Sequence, residues 1–172
     1  MTLSTLKSRR FLQTISLALA VGISGNLLAS PVLILPSVDN AKWRTECAGC
    51  HMLYHPALLP ERSWRKMMSG LDDHFGKQLK LNAAAQKEIT EFLASHAAEH
   101  SKSSRAKNIA KSTQAGQTPL RIEETAFFKL HHDNIDADVW QRPAIGSKTN
   151  CKACHPDAEK HNFDEDTIKI PR

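Results

Sequence analysis

The sequence predicts a mainly α-helical chain with two small domains and long loops. Three observations carry that expectation. Apolar residues recur at helical spacing in three separate stretches. No alternating strand of useful length occurs anywhere. A five-residue motif, C-x-x-C-H, occurs twice, at Cys47–His51 and Cys151–His155, about 104 positions apart. At 172 residues the chain is long enough for one ordinary domain or two small ones. Charged residues make up 24%, with no dominant block of either sign, which excludes wholesale disorder.

The first element is a leader, residues 1–36. Lys7, Arg9 and Arg10 precede the apolar run Phe11 to Pro36, which reads as a secretory signal. Gln13, Asn26 and several serines make it a poor spanning helix, so an uncleaved anchor is the weaker reading. No clean A-x-A marks the cleavage point, and Ala29 or Ser30 is the working choice. Arg9-Arg10-Phe11-Leu12 faintly resembles a twin-arginine signal. Without the leader, 20 basic residues face 18 acidic ones, a charge of +2. That leaves no concentrated basic face, which argues against nucleic acid as a partner.

Residues 37–100 form the expected first domain. Its first helix is expected to start at Ser63 as N-cap, with Trp64, Met67, Met68, Leu71 and Phe75 as its apolar stripe. His74 lies at the edge of that stripe, and Gly76 is the expected stop. A second helix is expected from the N-cap Asn82, with Ala85, Ile89, Phe92, Leu93 and His96 on its apolar face. Residues 101–118, rich in Ser, Lys, Gln and Ala, read as a linker or surface loop. Residues 119–172 form the expected second, loop-rich domain, with a short helix over Glu123–His132.

The doubled motif carries the chemistry. All four cysteines of the chain belong to it. C-x-x-C-H is the attachment signature of c-type haem. Two thiols three residues apart reach the two vinyl-derived carbons on one porphyrin edge, and the following imidazole projects toward the iron. The motif therefore assigns Cys47, Cys50, Cys151 and Cys154 to two covalent haems, and His51 and His155 to the proximal iron positions. A thioredoxin-like pair would need a βαβ context, which is absent. A shared zinc site would need far closer pairs. A disulfide inside C-x-x-C closes too small a loop to act as a scaffold. Haem attachment also favours the general secretory route, because it acts on an unfolded chain after export. Two porphyrins would supply apolar area that the low aromatic content, 6%, does not.

The sixth iron position decides the role. Seven further histidines are available: His55, His74, His96, His100, His131, His132 and His161. His74 stands out by its apolar helix edge. His131 or His132 follows, on the aromatic helix, and periodicity does not choose between them. His55 sits too close to its own motif, and His161 is expected at the surface. Met67 and Met68 fit core packing better than ligation.

Several segments resemble the small periplasmic dihaem cytochromes c of the DHC type. They include Trp43-Arg44-Thr45-Glu46-Cys47 through His51, Ala57-Leu58-Leu59-Pro60 with Ser63-Trp64, and Met68, Gly70-Leu71 and His74-Phe75-Gly76. Later come Arg121-Ile122, Glu124-Thr125, Phe128, His132-Asp133 with Ile135, Cys151 through His155, Asp157-Ala158-Glu159 and Ile168-Lys169-Ile170-Pro171. The resemblance implies two bis-histidine, low-spin haems, with His74 and His132 as distal ligands. It also implies single-electron transfer, with other haem redox proteins as partners, among them a membrane cytochrome b. The N-terminal half additionally resembles class I cytochrome c, with His74 where that fold usually supplies Met. The alternatives are a dihaem peroxidase and a gas-binding haem protein, each needing one open iron site.

Overall fold

A computed structural model describes residues 35–172; the first 34 residues of the expected leader, and its expected cleavage point, lie outside that range. The described residues are helical, with five α-helices, several 3₁₀ turns and long connections. Among them no helix is long and apolar enough to cross a membrane.

Helix α1, Ala41–Cys47, starts where the Asn40 side chain accepts the Trp43 N–H at 2.8 Å. It ends on the first motif cysteine. Helix α2 spans Glu61–Ser69 and follows Pro60, three residues before the expected Ser63 cap. The extended backbone of Pro60 (φ −68°, ψ 155°) sets the entry, and Ser63 lies buried in the first turn instead. The helix stops at Gly70, earlier than Gly76, and Leu71–Asp73 continues as a 3₁₀ turn. Helix α3, Ala83–Ser95, begins as expected at Asn82, whose side chain accepts the Ala85 N–H.

Trp43, Leu59, Trp64, Met68, Leu71, Ile89, Phe92 and Leu93 form the first core, between α1, α2 and α3. Met67 packs against its edge, so both helix methionines serve packing. The Trp64 indole N–H donates to the Pro56 carbonyl at 2.6 Å, which satisfies its one polar atom.

Residues 101–118, expected as a linker or surface loop, are partly helical. They contain helix α4, Ser104–Ser112, capped by the Ser103 side chain. Its Ala106 and Ile109 are buried in a second core with Leu35, Ala57, Leu58 and Ala98. A polar sequence supplies this helix because two small apolar contacts one turn apart suffice. Helix α5 is shorter than expected, Ala126–His131, with Thr125 accepting the Phe128 N–H.

The expected boundary after Pro36 also shifts. Leu35 and Pro36, counted with the leader on composition, belong to the folded body. Leu35 is buried and donates its N–H to the His161 carbonyl at 3.2 Å. The Pro36 carbonyl accepts from His55 Nε2 at 2.7 Å. His161 is not the expected surface residue: its Nε2 donates to the Leu53 carbonyl, and its ring meets His55 edge-on at 4.8 Å.

Candidate functional site

The two motifs sit at chain turns. Cys47 closes α1, and Cys50 and His51 follow in the turn after it. Cys151–Ala153 is a 3₁₀ turn, with Cys154 and His155 next. Neither motif occupies an α-helix throughout; a single tight turn presents both sulfurs. No disulfide joins any of the four cysteines, so all four sulfurs remain available to a cofactor. Burial pushes the Cys47 and Cys151 thiols up to about 11, and raises Cys154 as well.

At the first motif, the structure brings His74 beside His51, with ring centres 6.2 Å apart. His51 Nδ1 lies 2.6 Å from the Met52 carbonyl. A carbonyl can only accept, so Nδ1 carries the proton and Nε2 is left as a lone-pair donor. His74 is held by a tight turn. Phe75 (φ 54°) and Gly76 (φ 83°) are both left-handed, and His74 and Lys77 exchange backbone hydrogen bonds around them. Two successive positive φ values define a primed turn, which glycine suits and phenylalanine does not. The Arg121 guanidinium lies 4.0 Å over the Phe75 ring and helps offset that strain.

At the second motif, His132 lies beside His155, again with ring centres 6.2 Å apart. His132 Nδ1 donates to the Phe128 carbonyl at 2.9 Å, which points Nε2 away from its own helix. Its ring stacks on Phe128 at 3.9 Å and neighbours Trp140 at 6.0 Å. His131 diverges: it is exposed and rests on Phe127. Burial depresses the affinity of His74, His132 and His155 for protons, so each ring is held neutral, the form that binds metal.

A cavity of about 560 Å³ opens between this pair and helix α4. Its walls include Phe128, Trp140, Ile145, Phe163 and Ile109, with Cys151, Cys154, His132 and His155 among them. That volume falls in the range of about 300–1,000 Å³ typical of cofactor sites. His155 Nδ1 is buried there without a hydrogen-bond partner.

The remaining histidines are engaged elsewhere. His96 caps α3 with Nδ1 on the Phe92 carbonyl, and His100 meets Glu61 at 2.8 Å. Sequence reasoning missed Tyr54, Trp140 and Phe163. Tyr54 is the only tyrosine in the chain, a signal that composition offered.

The family profile "Dihaem cytochrome c" matches residues 43–163. The chain belongs to the dihaem cytochrome c family. Among solved structures, the diheme cytochrome c from Rhodobacter sphaeroides is 38% identical. That match covers 76% of this chain and 99% of the other, with a TM-score of 0.65. The diheme cytochrome type c from Shewanella baltica OS155, sb-DHC, is 37% identical over 77% of this chain and 93% of its own, with a TM-score of 0.63. No curated protein matches. As a dihaem cytochrome c, the protein carries two c-type haems.

The residues present fit that cofactor. Each motif supplies two sulfurs and one imidazole beside a second imidazole. At the second site these groups line an apolar cavity of cofactor size. A metal–imidazole bond is about 2 Å long, so one metal between two nitrogens, with ring centres set back ~1 Å on each side, separates the centres by about 6 Å. Both observed pairs have that spacing.

Proposed function

We propose that the protein is an exported, periplasmic electron carrier that passes single electrons through two bis-histidine, low-spin haems. The observation that carries this reading is the pairing of His51 with His74 and of His132 with His155, each at 6.2 Å. Cys47 and Cys50 would hold one haem, and Cys151 and Cys154 the other. Bound haem supplies a one-electron couple. The chain's own part would be to hold each metal with two imidazoles, His51 with His74 and His132 with His155, which would leave no open position for substrate or oxygen. Imidazole in place of a Met ligand also favours a lower potential. Phe128, Trp140 and Phe163 line the second site with apolar surface.

The finer organisation belongs to the same reading. An N-terminal haem unit similar to class I cytochrome c would use His74 where that fold uses Met, and a loop-rich unit would hold the second haem. The basic, apolar leader supports export. Partners would be other haem redox proteins, among them a membrane cytochrome b.

Carbon monoxide tests the reading. Wild-type protein should show wholly low-spin spectra that carbon monoxide does not change. His74→Ala and His132→Ala should each convert about half of the haem to a carbon monoxide-binding form, while His131→Ala should convert none. A high-spin wild-type component that binds carbon monoxide defeats the carrier. Peroxide turnover would then indicate a dihaem peroxidase, and its absence a gas-binding protein.

A further inference from the structure

We infer that Tyr54 is the positioning residue that connects the two haem sites for electron exchange: its ring lies against His51, and its hydroxyl is bonded to the carbonyl that abuts Cys151. This rests on the carrier reading above. The Tyr54 and His51 ring centres are 5.0 Å apart. The Tyr54 hydroxyl donates to the Thr149 carbonyl at 2.7 Å, across 95 positions of chain. The same carbonyl lies 3.6 Å from Cys151 Sγ. The run from the first motif's imidazole to the second motif's sulfur is therefore one ring contact, one phenol, one short hydrogen bond and one sulfur contact.

The surroundings hold this geometry. Tyr54 packs against both hydrophobic cores, so its ring is fixed where they meet. The Cys151 loop is pinned from its own side, where Asn150 donates to the Ile145 carbonyl at 2.9 Å and the Ser147 and Thr149 hydroxyls pair at 2.8 Å. Once a thioether forms, Cys151 has no S–H to donate, but its sulfur remains attached beside the same carbonyl.

The tyrosine would be a medium rather than a redox station. Its proton is committed to an amide carbonyl. Exchange between the sites then forms and breaks no bond and moves no proton: one iron centre loses an electron and the other gains it. Arg121 and Glu123 lie close enough to bear on the hydroxyl electrostatically. Neither is part of the run from ring to sulfur.

The test uses the two-haem holoprotein, partly reduced. Nuclear magnetic resonance exchange spectroscopy of the haem methyl signals reads the internal electron-exchange rate. Tyr54→Phe keeps the ring and removes only the hydroxyl. It should slow internal exchange by about tenfold, the effect of ~1.4 kcal/mol on a barrier. Tyr54→Leu, which removes the ring too, should slow it further. Reduction by an external small-molecule reductant and the low-spin spectrum should stay unchanged in both. A lowered melting temperature with unchanged internal exchange would make Tyr54 a structural staple and overturn the inference. Unchanged exchange in both variants, beside a closed wild-type spectrum, overturns the inference alone. An open, carbon monoxide-binding wild-type iron defeats the carrier reading and this inference with it.

Discussion

His55 should make the protein acid-labile in a defined window. The residue is 1% exposed. Its Nδ1 accepts the Ala57 N–H at 3.0 Å, and its Nε2 donates to the Pro36 carbonyl. Both nitrogens are thus committed in the neutral ring. A proton on Nδ1 would abolish the first bond and bury a charge. Burial pulls the group from 6.5 down to about 4, and the nearby His161 and His96 act in the same direction. A folded value below the unfolded one means that the unfolded chain binds more protons between those limits. The stabilisation is complete above pH 6.5 and is lost as pH falls toward 4. At about 1.4 kcal/mol for each pKa unit, that loss reaches about 3 kcal/mol. His55→Asn keeps a short side-chain acceptor but cannot reach Pro36. It should be less stable at pH 7 by about 1–3 kcal/mol, the usual effect of orphaning a buried polar group. The gap should close or reverse by pH 4. Guanidinium unfolding followed by circular dichroism, for both proteins between pH 4 and 7, reads the difference directly. Haem-ligand protonation is common to both and cancels. A gap that stays constant over this range would refute the reasoning.

Ile109→Ala should destabilise the protein by about 2–5 kcal/mol, as for a buried core residue. A change within about 0.5 kcal/mol, the usual surface value, would mean that α4 does not pack. Gly76→Ala meets open space but a backbone at φ 83°. It should cost about 1–2 kcal/mol through the left-handed conformation alone. It should also loosen His74, visible as a carbon monoxide-binding fraction at the first haem.

Local signals were legible and distant ones were not. Asn82 marks its helix because capping is settled within three residues, and the periodicity of α3 is strong. The motif cysteines and their histidines were readable for the same reason: their chemistry is written in five consecutive positions. Helix α4 was missed because Ala106 and Ile109 are too few to show a stripe without the surface they cover. His161 looked like a surface residue because its partners, Leu53 and His55, are over a hundred positions away. The end of α2 was misplaced because Leu71 continues the apolar spacing while the backbone has already tightened into a 3₁₀ turn. Spacing alone left His131 and His132 equivalent. The structure separates them by turning one ring onto Phe127 in the open and the other toward His155.

The bond from Leu35 to His161 joins positions near the two ends of the described chain. A contact of such long sequence separation must bear its loop-closure entropy before any packing rewards it, so it forms late. Until it does, the segment after the second motif lacks that tie to Leu35. The sulfurs of Cys151 and Cys154 are then still reachable by whatever machinery joins them to porphyrin. A porphyrin joined at that stage would precede the closing of the chain over it.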